Sequence, residues 1–381
     1  MFLPSALLLL LAGQARASYK DFGIPQSSAT VSVKVFNVGF LELINATHTF
    51  ANPVVPGHES VTFPMYSFLI EHNTSKSHQT RHMFDLGIRK DPQNLAPAFS
   101  SAITAGLASL KEDKDITELL EDGSIPLTSI DAVIWSHSHI DHIGDMSKFP
   151  NTTGLIYGQG TNTETFNTTF PNAQLQESDF AGHNITEVDF SNTKLSFSGL
   201  PAIDFFGDGS FYLLNTPGHA LGHMSALARV TPTTFISMGG DTFHHVAEAR
   251  PFPDFQHNFP CPGDLVASAR STISTDFFWS PRTHNGSFDI PSRAQPLLSI
   301  SDLPDSVYVD PSTAAVSLEK IATFDADEDI LVLVAHDASA AGSLPYFPAS
   351  LNGWKKAGLK KEIVWNFVNA SNPAFFFDVT A

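Results

Sequence analysis

The chain has 381 residues, 42% of them hydrophobic and 16% charged, enough to bury a sizeable core as one large domain or two ordinary ones. Its 21 Lys and Arg stand against 39 Asp and Glu, a formal net charge of −18 with no basic run. Cationic side chains are what draw a protein to phosphate backbones and anionic lipid, so nucleic acid and membrane surfaces are poor partners and a small-molecule substrate is expected.

The first residues read as a leader. An apolar run, Ala6 to Ala12, follows Met1–Leu3 and leads to Ala15-Arg16-Ala17, a small-x-small cleavage pattern too short to span a bilayer. A signal peptide over residues 1–17 is expected, with one domain from Ser18 to Ala381 and a secreted, glycosylated product. Seven Asn-x-Ser/Thr sequons, at Asn45, Asn73, Asn151, Asn167, Asn184, Asn285 and Asn369, agree with that route. The single cysteine, Cys261, can form no internal disulfide and reads as a buried or incidental thiol.

In chain order, Val31–Val38 alternates as a strand does, and Tyr66–Ile70 reads as another. A third strand ends at Met83-Phe84 and runs into Asp85-Leu86-Gly87. Residues from about Ala96 to Lys111, rich in Ala and Leu, predict a helix. Four short apolar runs then each lead into a polar residue: Ala132–Trp135 into His137, Phe211–Leu214 into His219, Thr234–Met238 into Asp241, and Ile330–Val334 into His336. Side chains placed where strands give way to loops are rigidly held yet open to substrate. Between Pro251 and Asp310 the pattern becomes Pro-rich and irregular, which reads as a long inserted loop in a single domain. Asp310-Pro311 predicts an N-cap and first helical position, opening a helix to about Ile321.

The chemistry concentrates in His137-Ser138-His139-Ile140-Asp141-His142. An extended turn projects His137 and His139 to one side, and a helix start aims Asp141 and His142 at a second point close by. Imidazole nitrogen and carboxylate oxygen suit zinc, with a coordination position left for water. His219, after Thr216-Pro217-Gly218, Asp241, after Gly239-Gly240, and His336 are further ligand candidates, each at a strand end.

This ordered series resembles the metallo-β-lactamase superfamily motif His-x-His-x-Asp-His, then His, Asp and His, with Asp85-Leu86-Gly87 similar to the family's Asp-x-Gly turn. The resemblance covers most of residues 31–337. It implies an α+β four-layer αββα sandwich with a dinuclear zinc site at one edge. His137, His139 and His219 would hold one ion, Asp141, His142 and His336 the other, and Asp241 would bridge. The ligand set resembles the lactonase and glyoxalase II branches, whereas the best-known β-lactamases often carry Cys where Asp241 stands. Two departures bear on substrate. Glyoxalase II enzymes usually have Gly-Gly after the first motif, where Ile143 here precedes Gly144-Asp145, and bacterial lactonases usually carry Tyr where His244 stands.

The resemblance implies a hydrolase that opens a cyclic ester or amide with a water activated between two zinc ions, Asp141 passing the proton to the leaving group. A thioester hydrolase is the alternative enzyme reading, and a binding protein on the same fold is disfavoured by the intact ligand set. His244 or His245 could donate a hydrogen bond to the developing oxyanion, or could support Asp241 from behind. His223 reads as a hydrogen-bonding residue more than a ligand.

Overall fold

The computed structural model of the chain describes residues 19–75, 78–111, 114–260 and 295–377. The expected leader, Cys261 and Asn285 lie outside the described residues.

The chain opens on β1 (Val31–Leu43), followed by the two-residue β2 (Ala51–Asn52), the long β3 (Val61–Ser75) and β4 (His78–Phe84). With β5 (Ala108–Lys111), β6 (Ala132–Ile134), β7 (Gly154–Gly158) and β8 (Ile185–Val188), these build a seven-stranded sheet in the order β5-β1-β3-β4-β6-β7-β8, which leaves out β2. The second sheet takes β9 (Leu195–Phe197), β10 (Leu200–Asp204), β11 (Phe211–Asn215), β12 (Met224–Thr231) and β13 (Thr234–Met238). After the two-residue β14 (Ser299–Ile300), β15 (Ile330–Leu333) completes it in the order β15-β13-β12-β11-β10-β9.

The period-2 geometry of strands explains why the runs are apolar throughout: both faces of each sheet are covered. Val31, Val33 and Val35 of β1 point to the same inner core as Phe211 and Leu213 of β11 and Leu331 and Leu333 of β15. The alternate residues Tyr212, Leu214, Ile330 and Val332 point outward, against the helix Pro311–Ala326. On the far side of the first sheet, Leu69, Val133 and Leu155 pack on Ile116 and Leu120 of the helix Ile116–Asp122. The layers are therefore helix, sheet, sheet, helix, as expected.

Two expectations change in detail. The predicted helix over 96–111 stops at Thr104: Gly106 turns at φ +72°, and Ala108–Lys111 becomes β5, paired antiparallel with Leu43–Phe40 of β1. An open sheet edge beside an apolar segment outweighs the modest helix propensity of Ala and Leu. The later helix is better marked. Asp310 accepts the N–H of Thr313 at 3.0 Å, Pro311 follows, and the helix continues to Ala326, five residues past Ile321. Part of the irregular stretch before it returns to the core, since Leu298, Ile300 and Tyr308 are buried and β14 pairs with β2. No helix among the described residues is long and apolar enough to cross a membrane.

Candidate metal centre

Parallel pairing puts the site at one edge. β4 and β6 run in the same direction, as do β13 and β15, so Asp85, His137, Asp241 and His336 all leave their strands at carboxyl ends. After β6 the backbone N–H of Ser136 donates to Asp85 Oδ1 at 2.6 Å, and the N–H of Met224 donates to the carbonyl of Ser136 at 2.8 Å. His139 is still extended, at φ −72° and ψ 151°, and the short helix Ile140–Ile143 then turns Asp141 and His142 inward. Gly218 is required by space: at φ +126°, a Cβ there would lie 2.1 Å from the backbone nitrogen of Ala314. Gly240, at φ +53°, lets the chain pass close to His223 and Ser136 before Asp241.

All seven sequence-predicted ligands come together. His137, His139, His219 and Asp241 form one group of donor atoms, and Asp141, His142 and His336 a second. His219 Nε2 stands 3.1 Å from His137 Nε2 and 3.0 Å from His139 Nδ1. Asp241 lies between the groups: its Oδ2 is 3.4 Å from His219 Nε2 and 3.2 Å from His142 Nε2, and its Oδ1 is 3.3 Å from His336 Nε2. Asp141 Oδ2 is also 3.3 Å from His336 Nε2.

The two rings of the second group are held from behind, whereas His219 Nδ1 is buried with no hydrogen-bond partner among the described residues. His142 Nδ1 donates to Asp85 Oδ2 at 2.9 Å and His336 Nδ1 to the carbonyl of Pro64 at 2.8 Å. Such hydrogen bonds fix ring angle and aim Nε2 inward, where a metal ion would take its lone pair in place of a proton. His223 is a hydrogen-bonding residue, not a member of either donor group. His245 faces away: its Nε2 donates to the carbonyl of Ala374 and its Nδ1 accepts the N–H of Ala247, which removes it from the site's chemistry. His244 stays, with Nε2 3.1 Å from Asp241 Oδ2 and Nδ1 2.7 Å from the Tyr308 hydroxyl. With both ring nitrogens engaged, the geometry favours support of Asp241 over donation to an oxyanion.

The electrostatics call for a cation. Burial opposes charge on every group here. It holds His137 and His219 well below the usual imidazole range, with neighbouring imidazoles adding to the effect. His336 is pushed the other way, up to about 10, because Asp241 and Asp141 outweigh its burial. Asp141 is held at about 2 against its burial by His142 and His336. Among the described residues, no Lys or Arg pairs with Asp141 or Asp241, so imidazoles alone balance the buried Asp241 and the partly buried Asp141. His142 Nε2 and Asp241 Oδ1 are buried without a hydrogen-bond partner. Buried anions and converging lone pairs are costly alone and stable around metal ions. Ligands about 2.0–2.2 Å from a tetrahedral zinc stand roughly 3.3–3.5 Å apart, close to the separations seen. The residues fit two such ions.

Both groups open on one cavity of about 290 Å³, where His139, His219, Asp241, Asp141 and His336 share the lining with Leu41, Leu43, Phe50, Phe63, Phe99 and Val307. A groove of about 450 Å³ adjoins it through His139 and Gln174. Sequence reasoning missed Tyr308 and Glu248, which stand behind His244. No motif marks them, and Tyr308 lies 64 residues along the chain from its partner.

The family model described as the metallo-beta-lactamase superfamily matches residues 100–230. Gamma-lactamase FDB1 of Fusarium pseudograminearum is 35% identical over 370 residues, covering 92% of this chain and 84% of that protein. Metallo-hydrolase mfmC of Annulohypoxylon moriforme is 37% identical over 366 residues, 92% of this chain and 90% of that one. Among solved structures, a mutant of B. thuringiensis AiiA with N-decanoyl-L-homoserine bound at its active site matches with a TM-score of 0.55, at 15% identity, over 84% of this chain and 99% of that one. The last likeness is one of fold.

Proposed function

Because the chain belongs to the metallo-β-lactamase superfamily, we propose that this metal-dependent hydrolase opens a lactam- or lactone-type ring in a small molecule, using two zinc ions. The observation that carries the reading is the shared cavity: both donor groups face one small space whose other walls are apolar apart from Gln174 and His244. Among the described residues no Lys or Arg lines that cavity, which suits an uncharged ring over an anionic one. The relative named as a gamma-lactamase, 35% identical over nearly the whole chain, supports the cyclic amide in particular.

His137, His139 and His219 would hold the first ion and Asp141, His142 and His336 the second, with Asp241 between the two groups. Zinc bound there would supply Lewis acidity, lowering the pKa of a water toward about 7 and polarising a substrate carbonyl. Asp141 is the more accessible carboxylate, at 13% side-chain exposure against 3% for Asp241. Its carboxylate would accept a proton from the attacking water and return it to the leaving nitrogen or oxygen. Phe50 and Phe63, packed edge to face with ring centroids 4.9 Å apart, give the cavity an apolar wall that disfavours bulk water. The adjoining groove receives the remainder of a larger substrate.

Secretion after removal of residues 1–17 is part of the proposal. Asn45, Asn73, Asn151 and Asn184 are exposed, as glycan acceptors must be. N-terminal sequencing of secreted material should begin at Ser18, and an intact Met1 on intracellular protein would sink this part.

The test of the activity is a hydrolysis screen of the zinc-loaded protein over lactams, lactones, thioesters and phosphodiesters, with Asp241→Ala in parallel. Ring opening of a lactam or lactone, lost together with metal in Asp241→Ala, is expected. Cleavage confined to thioesters or phosphodiesters would overturn the reading.

A further inference from the structure

His244 is one end of a buried line of hydrogen bonds. Its Nε2 lies 3.1 Å from Asp241 Oδ2, its Nδ1 lies 2.7 Å from the Tyr308 hydroxyl, and that hydroxyl lies 3.4 Å from Glu248 Oε2. Glu248 Oε1 accepts the N–H of His245 at 2.9 Å. His244, Glu248 and Tyr308 are all buried.

With His244 neutral, protons can be placed along this line in one consistent order; an imidazolium would instead donate from Nδ1 to the Tyr308 oxygen, with the Tyr308 hydroxyl donating to a Glu248 carboxylate. Asp241, ringed by imidazoles, is a carboxylate and only accepts, so His244 Nε2 carries a proton toward it. His244 Nδ1 is then a lone pair and needs a donor, which the Tyr308 hydroxyl supplies with its one proton. The Tyr308 oxygen can in turn accept only if Glu248 is a carboxylic acid. Among the described residues no Lys or Arg pairs with Glu248, and burial pushes it up to about 8. The order Glu248 to Tyr308 to His244 to Asp241 leaves no donor facing a donor.

This matters because His244 Nε2 also lies within 4.8 Å of donor atoms of Asp241 and His336, a third group able to hold an ion. With the proton on Nδ1 instead, Nε2 would present a lone pair there and compete with the two-ion arrangement.

We propose that Tyr308, backed by Glu248, is a positioning residue that locks His244 with its proton on Nε2, so that His244 orients Asp241 and does not act as a metal ligand. The inference rests on the dinuclear reading above. It also gives the far end of the irregular stretch a task at the centre: a tyrosine arrives there from position 308, where the lactonase pattern would place one at 244.

The experiment is ¹⁵N-histidine NMR of metal-free and zinc-loaded protein, with the His244 signals identified by their loss in His244→Gln. Chelator competition for zinc and measurement of kcat and KM accompany it. Tyr308→Phe is the disrupting variant. Glu248→Gln, whose amide can still donate to Tyr308, is the conservative one. The wild type and Glu248→Gln should carry the His244 proton on Nε2 in both states. Tyr308→Phe should shift it toward Nδ1, weaken zinc binding by about 10- to 100-fold and lower kcat more than it raises KM. A His244 protonated on Nδ1 in the wild type would overturn the proposal without any variant, and so would Tyr308→Phe with tautomer and zinc affinity unchanged. Wild-type protein that binds no zinc would instead sink the dinuclear reading, while the metal-free spectrum still reports the tautomer.

Discussion

His223 Nε2 accepts the backbone N–H of Asp241 at 3.0 Å while its Nδ1 donates to the carbonyl of Thr216 at 2.8 Å. One neutral ring thereby ties the loop after β11, which carries His219, to the loop after β13, which carries Asp241. Burial holds His223 down at about 4, so the ring stays neutral and can accept from the amide throughout the working range.

Removing that ring should loosen two ligands together. His223→Ala is expected to keep the fold and to weaken zinc binding by roughly 10- to 100-fold, with His223→Gln intermediate because its amide can replace one contact. Zinc retention against a chelator series is the measurement. Wild-type retention in His223→Ala would show that the tie does not matter.

Asp85 is expected to act on the second ion alone. Its two oxygens receive the N–H of Ser136 and His142 Nδ1, and its backbone sits at φ +57°, which Asn tolerates. Asp85→Asn should therefore fold but weaken the charge-assisted bond behind His142. Elemental analysis at limiting zinc should fall from about two ions per chain toward one, by the reasoning that outer carboxylates raise ligand basicity. Two tightly held ions in that variant would contradict the assignment.

Asp179 supplies a pH signature away from the metals. Burial pushes it up to about 6, against the N–H of Gln176, which its Oδ2 accepts at 2.7 Å. A carboxyl raised in the folded state contributes stability fully below its unfolded pKa near 4, and that contribution is lost as pH rises through 6. Above pH 6 the wild type thus holds a buried charge that Asp179→Asn lacks. The variant should be more stable by about 2–3 kcal/mol at pH 7.5, the gap closing by pH 4. Paired melting curves across that range decide it, and a gap independent of pH would refute the cause given.

Lys360 anchors the route to His336. Its Nζ donates to the carbonyls of Asp325 and Asp327 at 2.7 Å and of Ile330 at 2.5 Å, closing the end of the helix Pro311–Ala326 just before β15. Lys360→Met fills the space but leaves buried carbonyls unpaired, at an expected cost of about 2–5 kcal/mol. Denaturant midpoints measure this directly. A loss under about 1 kcal/mol would mean the carbonyls find other partners.

How much of this was legible beforehand follows from the range of each interaction. The His137–His142 motif is local, so backbone geometry alone projects its side chains to two nearby points. Strand ends were legible too, because runs buried on both faces must be apolar and the polar residue that ends each one stands out. The same logic located Asp310 as a cap, since capping is settled within four residues. What tertiary structure alone decided depends on partners distant in the chain. Ala108–Lys111 has helical composition and became β5 because the edge of β1 was open to it. His244 and His245 are adjacent and equivalent by composition, yet one faces Asp241 and the other the carbonyl of Ala374. Tyr308 and Glu248 carry no pattern of their own. Their roles come from burial beside His244, where every proton must have an acceptor, and that requirement exists only once the layers have closed.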